Sequence, residues 1–207
     1  CNKLESKVFS VEYRLSPENK FPIPLDDSFK AYEWAVASSE KLGIDPGKIS
    51  VAGDSCGGNI AASVCIRSRK EVVQCPKAQL LLYPWTDLEM KSDSIESLNE
   101  GFSLTKPILE WFRKHYLNDL SEASLATASP LLEEDLTNLP PAHICTAGFD
   151  PLRDEGKKYS EKLLEAGNQV TYKEYSGFIH LFANMQFIPG VKESIDEICE
   201  GFKQIMN

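Results

Sequence analysis

Nine consecutive residues predict how the backbone of this chain is arranged: Val51-Ala52-Gly53-Asp54-Ser55-Cys56-Gly57-Gly58-Asn59. The apolar run at residues 49–52 is typical of a β-strand, and the small side chains of Ala61 and Ala62 favour a helix after the serine. When the pattern G-x-S-x-G lies between a strand and a helix, it indicates a sharp turn that lifts a serine hydroxyl clear of a sheet. We therefore predict that Ser55 lies at the apex of such a turn and acts as a nucleophile.

The residues expected to shape this turn are Gly53, Asp54, Gly57 and Gly58. Glycine two positions before and two positions after the serine is expected to be required, because a Cβ there would collide with the neighbouring strand or helix. The free N–H groups at the start of the helix would face any negative charge that develops beside the serine. The alternative is a chance match, since three common residues at this spacing also occur in ordinary glycine-rich turns.

The composition is that of one ordinary globular domain. Of the 207 residues, 42% are apolar and 26% are charged, and the formal net charge is −9. A negative surface repels nucleic acid and anionic membranes, so neither is an expected partner. The sequence also lacks an apolar run of about eighteen residues, the length needed to span a bilayer.

The six cysteines are scattered without C-x-x-C spacing. In a chain of this length that pattern favours free thiols in a reducing compartment over a disulfide framework, so we expect a cytoplasmic protein. His143 and Cys145 come nearest to a metal-binding pair, but no third or fourth ligand accompanies them. We therefore expect no metal and no cofactor.

Strands and helices are predicted to alternate along the chain. The predicted strands are residues 8–13, 49–52, 78–83, 142–148 and 170–175, and residues 176–180 are predicted as the loop that leaves the last strand. The predicted helices cover residues 26–42, 56–69, 105–117 and 154–166, and a last helix carries the apolar stripe Val191, Ile195, Ile198, Phe202 and Ile205. Alternation of this kind indicates an α/β fold, a mostly parallel sheet with helices on both faces.

Residues 87–131 differ from the rest because they carry several charges and contain no convincing strand. In the helix predicted there, Ile108, Leu109, Phe112 and Tyr116 fall at helical spacing. We interpret residues 87–131 as a helical cap over the catalytic end of the sheet, inserted into a core of residues 1–86 and 132–207. The alternative is an ordinary crossover connection, which needs far fewer residues.

A serine hydroxyl needs a base to act as a nucleophile at neutral pH, and the chain offers three histidines. His143 lies within an apolar strand, as a core or strand-end residue would, and His115 lies in the predicted cap helix, where a solvated position is the default. His180 follows a strand at the carboxyl edge of the sheet, where Ser55 must also lie. We therefore predict that His180 is the general base.

The base needs a carboxylate that fixes its tautomer and stabilises the imidazolium. Asp150 follows the fourth predicted strand directly, at the same edge of the sheet. Asp154 and Glu155 lie a helical turn further on, where a favourable charge at a helix N-terminus explains them adequately. We predict Asp150 as the acid, with Asp154 as the alternative, and the order Ser55, Asp150, His180 is the one expected of α/β-hydrolases.

Four blocks of the sequence resemble the hormone-sensitive-lipase-like α/β-hydrolases, which include bacterial esterases and arylacetamide deacetylases. The blocks are YRLSPE at 13–18, GDSCGGN at 53–59, AGFDPLRDEG at 147–156 and GFIH at 177–180. They occur in the family's order, and the resemblance covers essentially all of the chain. It implies a serine carboxylesterase acting on small acyl esters, with Ser55, Asp150 and His180 as its triad. It also implies a helical cap of which residues 87–131 are one part. Amide deacetylation would use the same residues.

Two features depart from the family pattern. Leu181 stands where the family usually has glycine after the histidine, which would crowd the acyl site. The family's H-G-G-G stretch, whose N–H groups form most of the oxyanion hole, does not occur in this sequence. The expected oxyanion donors are then the N–H groups of Cys56 and Gly57, and the loss of one such donor typically costs about 10²–10³ in rate.

The missing stretch predicts a gap in the sheet. In the family, its strand lies between those equivalent to residues 8–13 and 49–52, and its absence would leave two rows of backbone groups without partners. We therefore expect these residues to be part of an enzyme of about 300 residues. Two alternatives stay open: a non-catalytic binding protein for small ligands on this scaffold, resembling the plant gibberellin receptors, which lack the triad histidine, or an inactive remnant. The sequence does not indicate the oligomeric state.

Overall fold

The computed structural model describes residues 3–206, which are built around a four-stranded parallel sheet. Its strands lie in the order of the chain: β1 Val51–Asp54, β2 Gln79–Leu82, β3 Ala142–Phe149 and β4 Val170–Ile179. The helices are α1 Ile23–Ala37, α2 Ser39–Leu42, α3 Cys56–Lys70, α4 Asp93–Ser97, α5 Lys106–Tyr116, α6 Arg153–Glu165 and α7 Val191–Met206. Short 3₁₀ turns occupy Pro46–Lys48, Leu120–Ser124, Pro130–Leu132 and Phe182–Asn184.

Helices cover both faces of the sheet, which confirms the predicted α/β class. On one face, Leu81 and Ile144 pack against α3 and α6. On the other, Leu80 and Cys145 pack in a cluster that includes Phe202 of α7. Successive residues of a strand point to opposite faces, so β2 and β3 are apolar at nearly every position because both of their faces are buried.

Residues 8–13 form no strand, so that prediction is wrong. Val8 and Phe9 are 60% and 48% exposed, and the segment pairs neither with β1 nor with any other strand of residues 3–206. An apolar run alone cannot make a strand, because the ladder needs a neighbour. The segment is instead tied to α1 by Arg14, whose guanidinium donates two hydrogen bonds, of 2.8 and 2.7 Å, to Asp27 and lowers the pKa of that carboxyl to about 2.

The helix predicted over 26–42 begins earlier and is divided in two. α1 starts at Ile23, because Pro22 and Pro24 stand at positions where the missing proline N–H is not needed. Ser38 separates α1 from α2, and Gly43 ends α2 in the left-handed conformation, with φ of 61°.

The last strand is longer than predicted. β4 continues to Ile179, so most of the residues predicted as its outgoing loop belong to the strand. A register shift between Ala147 and Phe149 allows pairing to resume between Phe149 and Ile179. Gly148 lies within this shift, and a Cβ there would come within 2.4 Å of the Ser176 carbonyl oxygen. Only glycine therefore permits the close approach of the two strands.

Residues 87–131 contain α4, α5 and the turn Leu120–Ser124, and no strand. The predicted helix is confirmed as α5, which is capped by the Thr105 hydroxyl accepting from the Ile108 N–H at 3.4 Å. Of its four predicted apolar positions only Leu109 is buried, whereas Ile108 and Phe112 are 40% and 46% exposed. The helix thus packs by a narrower stripe than its sequence indicates. The division of the chain into core and cap stays a prediction.

Candidate active site

Ser55 alone forms the turn between β1 and α3. Its φ of 54° and ψ of −119° lie in a region that L-amino acids rarely adopt. The Ser55 N–H donates to the Leu82 carbonyl at 2.9 Å, and the Ser55 carbonyl accepts from the Trp85 N–H at 3.2 Å. Backbone bonds on both sides therefore hold the strained residue in place.

The glycines around Ser55 are not equally constrained. A Cβ at Gly53 would lie 2.1 Å from the Gly57 carbonyl oxygen, and one at Gly58 would lie 2.8 Å from the Pro84 Cβ. At Gly57 the nearest atom would be 3.9 Å away, on the Asp54 carboxylate, which is an ordinary contact. The predicted collision is therefore found at Gly53 and not at Gly57, because a Cβ at position 57 would approach no atom more closely than an ordinary van der Waals contact. Among the residues after the serine, the tight position is Gly58.

The structure brings Ser55, His180 and Asp150 into one row of hydrogen bonds. The Ser55 Oγ lies 2.9 Å from His180 Nε2, and His180 Nδ1 lies 2.7 Å from Asp150 Oδ2. The second Asp150 oxygen accepts from the Leu152 N–H at 2.9 Å. Because a carboxylate accepts at Nδ1, that nitrogen carries the hydrogen and Nε2 is free to accept the serine proton.

The topology explains this convergence. Ser55 follows β1, Asp150 follows β3 and His180 follows β4, and parallel strands place their carboxyl ends along one edge of the sheet. Asp150 is fully buried and His180 is 3% exposed. Burial from water strengthens the interaction between carboxylate and imidazole and preserves their geometry.

The predicted oxyanion donors lie at the start of α3. Cys56 and Gly57 are its first two residues, and the N–H groups of a first helical turn have no carbonyl within the helix to donate to. Asp54, the last residue of β1, is exposed on the turn. The oxyanion role stays a prediction.

Sequence reasoning missed Tyr83, which packs against the predicted base. Its ring lies 5.0 Å from the His180 ring in an edge-on arrangement, and the residue is 1% exposed. Burial raises the pKa of its hydroxyl well above the ordinary value. The only signal in the sequence is an aromatic residue at the end of an apolar strand, which does not reveal its partner.

Leu181 follows the histidine with a left-handed φ of 64°. Glycine adopts this conformation without strain, which gives a backbone reason for the glycine usual in the family. The Leu181 side chain packs against the core cluster that contains Tyr83 and Phe182. That contact offsets part of the backbone cost.

The other candidates lie elsewhere. The His143 ring contacts the Thr171 hydroxyl at 2.6 Å, and His115 Nδ1 lies 2.8 Å from the Trp111 carbonyl oxygen on α5. Asp154 accepts from the Ser94 N–H at 2.9 Å and from the Arg153 side chain at 2.8 Å, rather than from a histidine.

Among residues 3–206, no three side chains of the His, Cys, Asp or Glu type are grouped so as to hold a metal ion. Within the same range, no helix has both the length and the apolar character needed to cross a membrane. Five cysteines of this part of the chain are free thiols: Cys56, Cys65, Cys75, Cys145 and Cys199.

Comparison with known proteins finds relatives that are named as ester hydrolases. The carboxylic ester hydrolase LipN of Mycobacterium tuberculosis is 40% identical over 191 residues, which make up 89% of this chain and 51% of LipN. An arylesterase of Saccharolobus solfataricus is 37% identical, over 87% of this chain and 59% of the arylesterase. The chain therefore spans only about half to three-fifths of the length of these relatives.

Among solved structures, the thermophilic carboxylesterase EstE1 from a metagenomic library superposes with a TM-score of 0.95 and 37% identity. The superposition covers 99% of this chain and 71% of EstE1. A family model described as the alpha/beta hydrolase fold matches residues 1–184. The chain therefore belongs to the alpha/beta hydrolase fold family and, within it, to the hormone-sensitive-lipase-like group that its sequence resembles.

Proposed function

We propose that this chain carries the catalytic triad of a serine carboxylesterase that hydrolyses small esters of short or medium acyl length. The observation that carries the proposal is the unbroken row of hydrogen bonds from Ser55 through His180 to Asp150, at 2.9 and 2.7 Å. A hydroxyl that faces the free nitrogen of a carboxylate-oriented imidazole is arranged for attack coupled to proton transfer. The relatives named as ester hydrolases and arylesterases support the same chemistry.

In the first half of the proposed reaction, Ser55 Oγ attacks the ester carbonyl carbon while its proton passes to His180 Nε2. Asp150 stabilises the imidazolium that forms. The negative carbonyl oxygen is stabilised by the N–H groups of Cys56 and Gly57, at the positive end of α3. His180 then returns the proton to the leaving alkoxide, and the acyl group stays on Ser55.

In the second half, a water molecule gives a proton to His180 and attacks the acyl carbon. The tetrahedral species collapses as the bond between the acyl carbon and Ser55 Oγ breaks, His180 returns its proton to Oγ, and the carboxylic acid leaves. The same steps would cleave an amide, so esters and amides must be compared by experiment.

We further propose that residues 87–131 act as a cap over this site. Support comes from Phe102, in that segment, whose ring stacks on the ring of Phe149, the residue directly before Asp150, with 5.1 Å between the ring centres.

The free thiols support our expectation of a reducing, cytoplasmic location.

The test is hydrolysis of p-nitrophenyl esters by the 207-residue chain and its variants. We expect activity in the wild type and none above background in Ser55→Ala. Asp150→Asn should lose about 10⁴-fold, because the imidazole then adopts the wrong tautomer. Asp154→Asn is the matched control and should keep most of the activity. Equal losses in the two aspartate variants would contradict the assigned acid. A folded wild type that binds esters without hydrolysing them would favour the binding-protein alternative.

A further inference from the structure

Glu155 is a buried carboxyl group that the proposed reaction does not use. It is fully buried in the first turn of α6, five residues after Asp150. Its Oε1 accepts two backbone hydrogen bonds, from Thr86 N–H at 2.6 Å and from Asp87 N–H at 2.9 Å. Its Oε2 has no hydrogen-bond partner among the described residues.

The two N–H groups belong to residues 82–87, which we name the clamp segment. This segment touches both the nucleophile and the base. Its Leu82 carbonyl and Trp85 N–H bond the backbone of Ser55, at 2.9 and 3.2 Å. Its Tyr83 ring lies 5.0 Å from the His180 ring.

The clamp segment is itself strained, since Tyr83 has a positive φ of 36°. Ser55, to which the segment is hydrogen-bonded, also has a positive φ, of 54°. Non-glycine residues keep such conformations only where their surroundings enforce them. Glu155 holds the far end of the segment by accepting two hydrogen bonds, of 2.6 and 2.9 Å. Without an acceptor, two buried N–H groups would be unsatisfied and the segment would shift to find new partners.

We propose that Glu155 is a positioning residue, which fixes the clamp segment and through it the relative placement of the Ser55 hydroxyl and the His180 ring. Because Glu155 lies on α6, the helix that follows Asp150, it joins the Asp150 side of the site to the turn at Ser55. This inference rests on the proposed esterase function. Small displacements matter for such a site, because a shift of about 1 Å can cost about 10²-fold in rate.

The chemistry of the contact requires an oxygen acceptor and not a charge. Burial raises the pKa of Glu155 well above its ordinary value, and the neighbouring Asp87 and Asp150 carboxylates act in the same direction. Glutamine presents the same oxygen to the two N–H groups, whereas leucine fills a similar volume without an acceptor. Aspartate keeps the oxygen acceptor, but its side chain is one methylene shorter, so the oxygen lies further from the two N–H groups.

The experiment measures the reaction of each folded variant with a fluorophosphonate and separates the number of reactive sites from the rate per site. We expect Glu155→Gln to react at close to the wild-type rate. Glu155→Leu should react about 10-fold to 10²-fold more slowly per site, with the KM for an ester nearly unchanged. Should Glu155→Leu fail to fold, Glu155→Asp supplies the slowed variant.

The matched control is Asn168, a buried side chain two residues before the start of β4 that also holds backbone groups. It accepts from the Leu139 N–H at 2.9 Å and donates to the Leu136 and Leu163 carbonyls at 2.7 and 2.8 Å. Asn168→Leu should lower thermal stability and leave the rate per site unchanged.

Three results would overturn the positioning role: a wild-type rate per site in both Glu155→Leu and Glu155→Asp, a Glu155→Gln variant as slow as Glu155→Leu, or an equal slowing in Asn168→Leu. A folded wild type that fails to react at all would contradict the esterase proposal itself, and the inference would fall with it.

Discussion

The strained backbone of Ser55 is made possible by the absence of side chains at two nearby positions. At Gly53 and Gly58, a Cβ would meet the Gly57 carbonyl oxygen at 2.1 Å and the Pro84 Cβ at 2.8 Å. Rigid backbone and ring atoms cannot move aside as the end of a flexible side chain can. The turn therefore depends on the absence of a Cβ at positions 53 and 58 as much as on the serine.

The glycines give a prediction with opposite outcomes at two positions. Gly53→Ala should destabilise the fold by on the order of 3 kcal/mol or more, because the Cβ overlaps backbone atoms. Gly57→Ala should leave the stability unchanged or raise it by up to about 1 kcal/mol, because alanine favours the helix and its Cβ would make only an ordinary contact of 3.9 Å with the Asp54 carboxylate. Urea unfolding of both variants checks this, and a Gly57→Ala variant as unstable as Gly53→Ala would contradict the geometry.

At the scale of the element, the packing of α7 on β3 encloses a histidine. A Cβ at Gly201 of α7 would lie 2.5 Å from His143 Cε1, so the helix backbone rests almost directly on the ring. His143 Nδ1 lies 2.6 Å from the Thr171 hydroxyl, and Nε2 lies 3.4 Å from the Cys145 thiol. Burial, together with the positive charge of Lys173, lowers the pKa of His143 from 6.5 to about 4.

This contact predicts a pH-dependent stability. Between about pH 6.5 and pH 4 the unfolded chain binds a proton at His143 and the folded chain does not, so stability falls as the pH falls. The depressed pKa corresponds to about 3 kcal/mol, lost across that window. His143→Gln should remove this contribution, and urea unfolding from pH 7.5 to 4.5 measures it. Parallel stability curves for wild type and variant would refute the explanation.

The elements show where sequence reasoning succeeds. β2 and β3 were predictable because strands buried on both faces are continuously apolar, and α7 was predictable from its stripe. Residues 8–13 have a strand-like sequence, but no strand among residues 3–206 pairs with them, and pairing depends on distant parts of a chain. The extension of β4 depends on the register shift at Gly148, which no local pattern reveals.

The site shows the same limit. Ser55, Asp150 and His180 were predictable as candidates because each follows a strand at the same edge of a parallel sheet. Tyr83 and Glu155 were not, since their contacts join segments that are far apart in sequence. Gly57 was misjudged because the space around its absent side chain depends on how β1, the turn and α3 are arranged in three dimensions.

At the scale of the whole molecule, β1 is an edge of the sheet in the part of the chain that the structure describes. Val51 and Ser55 donate to carbonyls on the side of β2. Because successive N–H groups of a strand point in opposite directions, those of Ala52 and Asp54 face the open edge. Edge strands expose such groups to pairing with other chain segments.

Hydrogen exchange of the 207-residue chain tests this arrangement. The amides of Ala52 and Asp54 should exchange as unprotected groups, whereas those of Val51 and Ser55 should be protected by β2. NMR-detected exchange resolves the four amides. Strong protection at Ala52 and Asp54 would mean that this edge is paired in solution, for example with a second copy of the chain.

We propose that His180 and Asp150, from distant parts of the sequence, make Ser55 nucleophilic, and covalent labelling measures this most directly. Incubation with a fluorophosphonate, followed by peptide mass spectrometry, should place a single adduct on Ser55. His180→Ala should slow the labelling by about 10²–10⁴-fold, because the hydroxyl then lacks its base. A folded chain that is labelled at another serine, or that reacts equally fast without His180, would contradict the activation of Ser55 by His180.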